Sequence, residues 1–248
     1  MVFEGYSDFY DLFYAGKDYL RESEQLISIL RSIKPDAQRL IELGSGTGNY
    51  GQLLCKAGYK VTGIEKSQQM LNKSRQKKIV GFEAILADMV SFDLHAKYDA
   101  IYSLFDVMCY LTQNSDLELC FKNAAKHLDT GGVFIFDSWF TPAVYTLPPI
   151  PNVKYAENSL CHITRSSQPI INYRENTVAV HYDFTIENKT SKQRRYLKEV
   201  HKLRHFSIPE LEIFASMAGF KLLACEELLT GKPASKDTWK VCCQLIKQ

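Results

Sequence analysis

The stretch from Leu40 to Tyr50 reads LIELGSGTGNY, and it constrains the fold more than any other part of the chain. Its apolar residues predict a buried strand, and three glycines within five positions predict a sharp turn before a helix. Glycine permits a positive φ and has no Cβ to keep a ligand away from the backbone. The free N–H groups of the following helix point into the same crevice. The stretch therefore predicts a strand–turn–helix unit that binds a ligand.

The composition indicates a packed globular protein of 248 residues, with 46% hydrophobic and 12% aromatic residues. A net charge of +2 does not indicate a nucleic-acid or membrane-surface partner. The seven cysteines have no metal-ligand spacing, so we expect reduced, mostly buried thiols and no metal site. No signal sequence opens the chain and no apolar segment reaches the roughly 20 residues that span a bilayer. We expect a cytoplasmic protein.

Strand and helix patterns alternate as far as Asp137, which predicts a parallel sheet. The second strand ends at Glu65, whose two carboxylate oxygens suit the two hydroxyls of a ribose. The third ends at Asp88, which can accept a hydrogen bond from an adenine amine. Met70, in the first turn of a helix capped by Ser67, either contacts the adenine or belongs to the core. These side chains are expected to meet in one crevice.

The pattern changes after Trp139. Residues 155–206 alternate polar and apolar side chains, which predicts an antiparallel insertion of three or four strands. A capping box at Ser207 opens the last helix, and two further strands close the main sheet as a hairpin pair. We therefore divide the chain into a ligand-binding domain, residues 1–138 and 207–248, and an inserted substrate-binding subdomain, residues 139–206.

Tyrosines are frequent near the amino terminus, at positions 6, 10, 14 and 19. One interpretation is an aromatic arm that packs on the core. The other is a flap that covers a ligand and offers phenol hydroxyls to it. The sequence leaves both open.

Four features occur in one order: Glu42-x-Gly-x-Gly-x-Gly, Glu65, Asp88 and Asp99. This combination resembles the class I S-adenosylmethionine-dependent methyltransferases. The resemblance implies a Rossmann-like α/β fold whose sheet has the strand order 3-2-1-4-5-7-6, with strand 7 antiparallel. It also implies S-adenosylmethionine as the cofactor.

A narrower resemblance covers residues 10–140. Tyr10-Asp11-Leu12, Gly16 to Tyr19, Gly63-Ile64-Glu65 and Gly131-Gly132-Val133 are similar to the nucleotide-linked amino-sugar N,N-dimethyltransferases. This implies a small-molecule acceptor, most simply the amino group of a sugar nucleotide or a related metabolite. A homodimer is left open.

The resemblance assigns the methionine part of the cofactor to the glycine loop, its ribose to Glu65, its adenine to Asp88 and Met89, and its amino-acid end to the tyrosines and Lys17. The residues expected to contact the cofactor are Tyr10, Tyr19, Gly44, Ser45, Gly46, Glu65, Lys66, Met70, Asp88, Met89 and Leu104.

Tyr6 and Tyr110 are the candidates to flank the acceptor atom, with packing as the alternative role. His181, in the inserted strands, is a third candidate to face the acceptor. A phenol is a poor base near neutral pH, so orienting an amine lone pair is the role we expect of Tyr110. Seven Lys or Arg residues between positions 189 and 205 predict either a phosphate-binding surface or a solvated hairpin.

Three alternatives stay open. The first is an O-methyltransferase that acts on a sugar or natural product. The second is a nicotinamide-dependent oxidoreductase, against which Asn49 stands in the third glycine position of G-x-G-x-x-G. The third is a silent S-adenosylmethionine-binding protein. A base-directed nucleic-acid methyltransferase is disfavoured, because the fourth strand leads into Ser103-Leu104-Phe105-Asp106 instead of Asn/Asp-Pro-Pro-Tyr.

Overall fold

The computed structural model describes residues 7–248, and within them the chain forms seven α-helices and eleven strands. The helices are α1 (Tyr10–Phe13), α2 (Tyr19–Ile33), α3 (Asn49–Lys56), α4 (Gln68–Gln76), α5 (Asn114–Lys126), α6 (Thr141–Thr146) and α7 (Ile208–Met217). The first strands are β1 (Arg39–Leu43), β2 (Lys60–Glu65), β3 (Phe82–Leu86), β4 (Tyr98–Ser103) and β5 (Leu128–Trp139). The others are β6 (Asn152–Glu157), β7 (Cys161–Asn172), β8 (Thr177–Asn188), β9 (Arg194–Arg204), β10 (Phe220–Glu227) and β11 (Lys240–Lys247).

The larger sheet has seven strands in the order β3-β2-β1-β4-β5-β11-β10. Its pairs are parallel from β3 to β5, and β11 runs antiparallel to both of its neighbours. The predicted strand order and the antiparallel seventh strand are confirmed. Leu43 at the end of β1 lies opposite Ile64, and Glu65 at the end of β2 lies opposite Leu86. These carboxyl ends therefore lie along one edge of the sheet.

Alternating side chains of this sheet enter two cores. One face contributes Ile41, Ile101 and Phe134 to a cluster that includes side chains of α5 and α7. The other face contributes Leu40 and Ala100 to a cluster with side chains of α2 and α3. The result is a three-layer arrangement of helices on both sides of a sheet, as the continuous apolar strands predict.

The starts of α4 and α7 follow the predicted caps at Ser67 and Ser207, and Asp18 caps α2. Asp18 accepts a hydrogen bond from the backbone N–H of Arg21, at 3.0 Å, and Ser67 accepts one from Met70, at 3.3 Å. Ser207 and Glu210 form the capping box that opens α7. Each cap satisfies N–H groups that have no partner inside the helix, which fixes where the helix begins.

A second sheet of four antiparallel strands, in the order β6-β7-β8-β9, lies in the sequence between β5 and α7. The alternating side chains Val178, Val180 and Phe184 of β8 are buried. Val178 and Val180 join the core cluster that contains Ile41 of the larger sheet. The predicted antiparallel insertion is confirmed, and its inner face packs on the main core.

Cys225 of β10 lies opposite Cys243 of β11, and a disulfide joins them across a Cα–Cα distance of 4.0 Å. The expectation of reduced thiols is wrong for this pair, because the register of the closing hairpin brings the two sulfurs together. The free thiols in the described part of the chain are those of Cys55, Cys109, Cys120, Cys161 and Cys242. Within residues 7–248, no helix combines the length and the apolar character needed to cross a membrane.

Candidate active site

A cavity of about 710 Å³ opens at the carboxyl edge of the larger sheet. Its wall combines the ends of β1, β2 and β4 with side chains from the amino-terminal segment and from the second sheet. Eleven of the residues predicted to contact a cofactor lie on this wall: Tyr10, Tyr19, Gly44, Ser45, Gly46, Glu65, Lys66, Met70, Asp88, Met89 and Leu104. Tyr110 lies there too.

Two glycines of the loop after β1 both have positive φ values, but the space around them differs. Gly44 has a φ of 65°, and a Cβ added to it would lie 2.4 Å from Cγ1 of Val107. Gly46 has a φ of 54°, and a Cβ there would meet no atom within 4 Å. Gly44 is therefore required by protein packing, whereas the space beside Gly46 belongs to the cavity.

Glu65 ties the end of β2 to this loop. Its carboxylate accepts hydrogen bonds from the backbone N–H groups of Gly46 and Ser67, each at 2.7 Å. Glu65 is 9% exposed, and burial raises the pKa of its carboxyl in spite of these two hydrogen bonds. An acceptor group is thus held at the cavity wall, and each of its oxygens retains a lone pair for a ligand hydroxyl.

Asp88 follows β3 and lines the next part of the cavity. Its Oδ2 accepts a hydrogen bond from the Lys66 ammonium, at 2.6 Å, and its Oδ1 accepts one from the backbone N–H of Val90, at 3.2 Å. Met70 is 2% exposed, so it is both part of the core and part of the cavity wall. The two interpretations of Met70 are therefore compatible.

The amino-terminal segment is fastened over the glycine loop through Asp11. Asp11 accepts hydrogen bonds from the Thr47 hydroxyl, at 2.6 Å, and from the Asn49 amide, at 3.2 Å, and pairs with Lys77 at 3.1 Å. Although burial opposes it, these contacts hold the pKa of Asp11 below its ordinary value. The segment places Tyr10 on the cavity wall and also packs on the second sheet. The segment therefore packs on the core and also borders the cavity.

A buried ionic cluster stabilises the turn after β4. Phe105 and Asp106 have φ values of 70° and 64°, and the N–H of Asp106 donates to Asp137 Oδ1 at 2.9 Å. The Lys240 ammonium lies 2.7 Å from Asp106 Oδ2 and 3.8 Å from Asp137 Oδ2. Burial, with the Asp106 carboxylate nearby, raises the pKa of Asp137 to about 7. Asp106 itself lines the cavity.

Tyr110, His201 and Glu199 form a hydrogen-bonded chain beside the cavity. The Tyr110 hydroxyl lies 2.8 Å from Nδ1 of His201, and Nε2 of His201 lies 3.0 Å from Oε2 of Glu199. His201 is 3% exposed and Glu199 is 9% exposed, while Tyr110 and His201 both reach the cavity wall. Burial raises the pKa of Tyr110 well above its usual range, so the phenol stays neutral.

The prediction for His181 is wrong in placement. His181 alternates along β8 with the buried Val180 and with Tyr182, which lines the cavity. Its side chain therefore projects from the opposite face of the strand and is not part of the cavity wall. His201, on the neighbouring strand β9, occupies the place that we had expected for His181.

Tyr6 lies outside the described residues. Lys17 is not on the cavity wall, because its ammonium pairs with Glu22 and lies 4.3 Å from the centre of the Phe105 ring.

Several wall residues were not predicted as site residues: Tyr14, Tyr50, Asp106, Asp116, Trp139, Tyr182, His201 and Leu203. The sequence does contain a signal for the second sheet. The apolar residues Val178, Val180 and Phe184 occupy alternate positions, which predicts Tyr182 on the inner face of the strand and His181 on the outer face. A weaker signal was available for His201, because it shares its phase along β9 with Leu197 and Leu203 while Lys198 and Lys202 occupy the opposite face.

The basic stretch between positions 189 and 205 forms ion pairs with neighbouring carboxylates. The pairs are Lys189–Glu157, Arg194–Glu187, Lys198–Asp183, Lys202–Glu175 and Arg204–Glu210. None of these basic side chains lines the cavity of the described structure. The placement favours a solvated hairpin.

Comparison with known proteins agrees with this geometry. Residues 40–132 match the methyltransferase domain family. The chain is 28% identical over 233 residues to dTDP-3-amino-3,4,6-trideoxy-alpha-D-glucopyranose N,N-dimethyltransferase from Streptomyces venezuelae, covering 93% of this chain and 94% of that protein.

Solved structures show the same architecture. The crystal structure of Streptomyces venezuelae DesVI superposes with a TM-score of 0.81 at 25% identity, covering 98% of each chain. S-adenosylmethionine-bound CalS10, an amino pentose methyltransferase from Micromonospora echinaspora, has a TM-score of 0.78 at 21% identity, covering 100% of this chain and 98% of that one.

The fold, the glycine loop and these matches define the class of protein: the chain has the Rossmann-like fold of the class I methyltransferases and is an S-adenosylmethionine-dependent methyltransferase, with S-adenosylmethionine as its cofactor. Within that class it is similar, over nearly its whole length, to amino-sugar N,N-dimethyltransferases.

Proposed function

We propose that this enzyme methylates the amino group of a nucleotide-linked sugar or a closely related amine. The proposal has two parts, the position of the cofactor and the chemistry of the acceptor. The main support for the proposal is the composition of the cavity wall. The wall combines the glycine loop, Glu65 and Asp88 with a group of aromatic side chains.

The residues at the strand ends fit S-adenosylmethionine. The space beside Gly46 is open, and the Ser45 hydroxyl is buried without a hydrogen-bond partner in the described structure. In our assignment the loop holds the methionine part and Glu65 accepts hydrogen bonds from the two ribose hydroxyls. Asp88 and Met89 then lie at the adenine. The cofactor supplies an electrophilic methyl group on a positively charged sulfur.

The other side of the cavity suits a cationic or amine acceptor. Tyr14, Tyr110, Trp139 and Tyr182 present aromatic groups there, and Asp106 adds a carboxylate. Aromatic faces attract ammonium and methylammonium groups through cation–π interactions. A hydroxyl acceptor gains less from such walls, because it carries no charge. This contrast supports N-methylation over the O-methylation alternative.

The dimensions and the relatives support a sugar nucleotide. A cavity of about 710 Å³ lies within the range of sites that hold cofactors and drug-sized ligands. The similar Streptomyces venezuelae enzyme is named for a dTDP-linked 3-amino sugar. We assign the acceptor amine to the region between Tyr110 and Trp139, where aromatic side chains position it and exclude water.

A matched pair of acceptors tests the proposal. The probes are dTDP-3-amino-3,4,6-trideoxy-α-D-glucopyranose and the same sugar nucleotide with a 3-hydroxyl group, each incubated with deuteromethyl S-adenosylmethionine and examined by mass spectrometry. We expect labelled methyl groups on the amine alone. Labelling of the hydroxyl compound would favour the O-methyltransferase alternative. Failure of the amino sugar and of a panel of related amines to accept a label would reject the amine assignment.

A further inference from the structure

We propose that Tyr110, His201 and Glu199 form a proton relay that takes the proton from the bound acceptor ammonium and leaves a neutral amine for methylation. The inference rests on the proposed function, because it requires an amine acceptor. It goes further by assigning a route for the proton and a role for two residues of the second sheet.

The hydrogen-bond chain has a direction. A Glu199 carboxylate can only accept a hydrogen bond, so Nε2 of His201 carries the proton that lies in their 3.0 Å contact. In neutral imidazole the other nitrogen then has a free lone pair, and Nδ1 accepts the Tyr110 O–H across 2.8 Å. The Tyr110 oxygen, on the cavity wall, is consequently able to accept a hydrogen bond from an acceptor ammonium.

The transfer balances without an external oxidant or reductant. An N–H bond of the ammonium breaks and an O–H bond forms on Tyr110, while the original Tyr110 O–H bond breaks and an N–H bond forms on Nδ1 of His201. The electron pair of the broken N–H bond stays on the acceptor nitrogen, and the resulting imidazolium faces the Glu199 carboxylate. The proton returns to solvent through the open cavity after the methylated product leaves.

This route avoids a phenolate. Tyr110 is a neutral phenol before and after the transfer, which agrees with the raised pKa that burial gives it. A phenolate base would have to form against that burial. His201 with its carboxylate partner is the group that holds the positive charge, as in other histidine–carboxylate pairs.

Titratable groups from several elements face the three residues of the relay. Glu199 contacts the His201 ring directly, and Tyr182 of β8 lies against the same ring with centroids 4.9 Å apart. Arg165 of β7 lies 4.8 Å from the centre of the Tyr182 ring. Besides burial, the Asp106 carboxyl and the Cys109 thiol in the turn after β4 raise the pKa of Tyr110. Tyr14 of the amino-terminal segment raises it as well.

The first test needs no acceptor. Nitrogen-15 shifts of histidine-labelled enzyme report which imidazole nitrogen carries the proton, and His201→Gln identifies the His201 signals. We expect the Nε2–H form with bound S-adenosylhomocysteine. We expect that pattern to be altered in Glu199→Gln and unchanged in His181→Gln, which alters a histidine outside the cavity wall. An Nδ1–H form in the parent enzyme would overturn the relay.

The second test measures kcat and KM from pH 6.5 to pH 10 with the amino sugar nucleotide named above. Tyr110→Phe and His201→Gln are expected to lower kcat about 100-fold at pH 7, with a smaller change in KM. The deficit should shrink towards pH 10, because solvent then supplies the neutral amine. His181→Gln should follow the parent enzyme. Unchanged S-adenosylhomocysteine binding by calorimetry shows that the variants are folded.

The outcomes separate the two levels of inference. Normal kcat at pH 7 in Tyr110→Phe and His201→Gln, or a deficit that is the same at every pH, would overturn the relay and leave the proposed function intact. A parent enzyme that methylates hydroxyl acceptors and no amine would overturn both.

Discussion

The hydroxyl of Tyr110 lies 2.8 Å from Nδ1 of His201, although 91 positions separate the two residues in the chain. Tyr110 ends the turn that follows β4 of the larger sheet, and His201 lies on β9 of the smaller one. Each residue also lines the cavity. The side of the cavity that we propose for the acceptor is therefore assembled where the two sheets meet, whereas the strand ends of the larger sheet form the side that we propose for the cofactor.

Glu65 offers the most direct test of the cofactor side. Glu65→Gln keeps the shape of the side chain but replaces one acceptor oxygen by a donor, next to the N–H groups of Gly46 and Ser67. Charge-assisted hydrogen bonds contribute about 1.5–3 kcal/mol each. We expect the affinity for S-adenosylmethionine to fall about 10- to 100-fold, measured by isothermal titration calorimetry.

Glu83→Gln is the matched control for this prediction, because Glu83 is exposed on the adjacent strand β3 and is not part of the cavity wall. It should bind the cofactor like the parent enzyme. Equal affinity in both variants would mean that Glu65 does not contact the ribose.

Alanine at two loop glycines should separate folding from binding. Gly46→Ala introduces a residue with positive φ but no clash, which costs about 1 kcal/mol of unfolding free energy. Gly44→Ala adds a Cβ 2.4 Å from Val107, so we expect a larger loss, about 2–4 kcal/mol. Urea denaturation measures both values.

The effect of Gly46→Ala on cofactor affinity should be large although its effect on stability is small. The Cβ of Gly46→Ala projects into space that we assign to the cofactor, so binding should weaken at least about 10-fold, more than its small effect on stability would suggest. If Gly46→Ala binds S-adenosylmethionine as tightly as the parent, no ligand atom lies against that glycine.

Much of this site could be predicted because parallel strands bring their carboxyl ends to one edge. A local pattern, an apolar strand followed by Gly44, Glu65 or Asp88, is then enough to place residues together without knowledge of any long-range contact. The caps at Ser67 and Ser207 are similarly local. The strand order, in contrast, came from the family resemblance.

The acceptor side was harder because it depends on how the second sheet packs on the first. His201 lies beside Tyr110 only after β9 has packed against the turn that contains Tyr110, and no local pattern encodes that distance. The same reason applies to the cluster of Asp106, Asp137 and Lys240, which joins three strand ends. The phase of β8 did contain the information that His181 points outward.

Glu42 should make the stability of the protein depend on pH. It is 2% exposed and accepts a hydrogen bond from the Tyr102 hydroxyl at 3.1 Å, and burial raises its pKa from 4.5 to about 8. Between these values the native state holds a proton that the unfolded state has lost. Stability conferred by this group is therefore full below about pH 4.5 and is lost as the pH rises to about 8.

Glu42→Gln removes that titration and preserves the shape of the side chain. We expect urea denaturation at pH 5, 7 and 9 to show the variant gaining on the parent with rising pH, by more than about 1 kcal/mol in total. Glu65 and Asp137, whose pKa values are also raised, remain in both proteins and add the same slope to each. Parallel stability profiles would show that Glu42 is not protonated in the native state at neutral pH.

The ionic cluster under the active site gives a last prediction. Lys240→Met leaves Asp106 and Asp137 without their shared cation while preserving much of the side-chain volume. Removing one member of a buried ion pair typically costs about 3–5 kcal/mol. Because the Lys240 side chain is 28% exposed, we expect about 2–4 kcal/mol at pH 8, measured by urea denaturation.

Lys122→Met is the matched control, since Lys122 pairs with Glu118 on the exposed surface of α5 and should change the unfolding free energy by less than about 0.5 kcal/mol. The loss in Lys240→Met should shrink at pH 5, because Asp137, with a pKa of about 7 even beside Lys240, is then protonated. Lys240→Met should also cost less unfolding free energy when it is introduced into Asp106→Asn, because that variant lacks the repulsion between the two carboxylates. A loss that is the same at pH 5 and pH 8, and the same with or without Asp106→Asn, would mean that Lys240 contributes through packing and not through its charge.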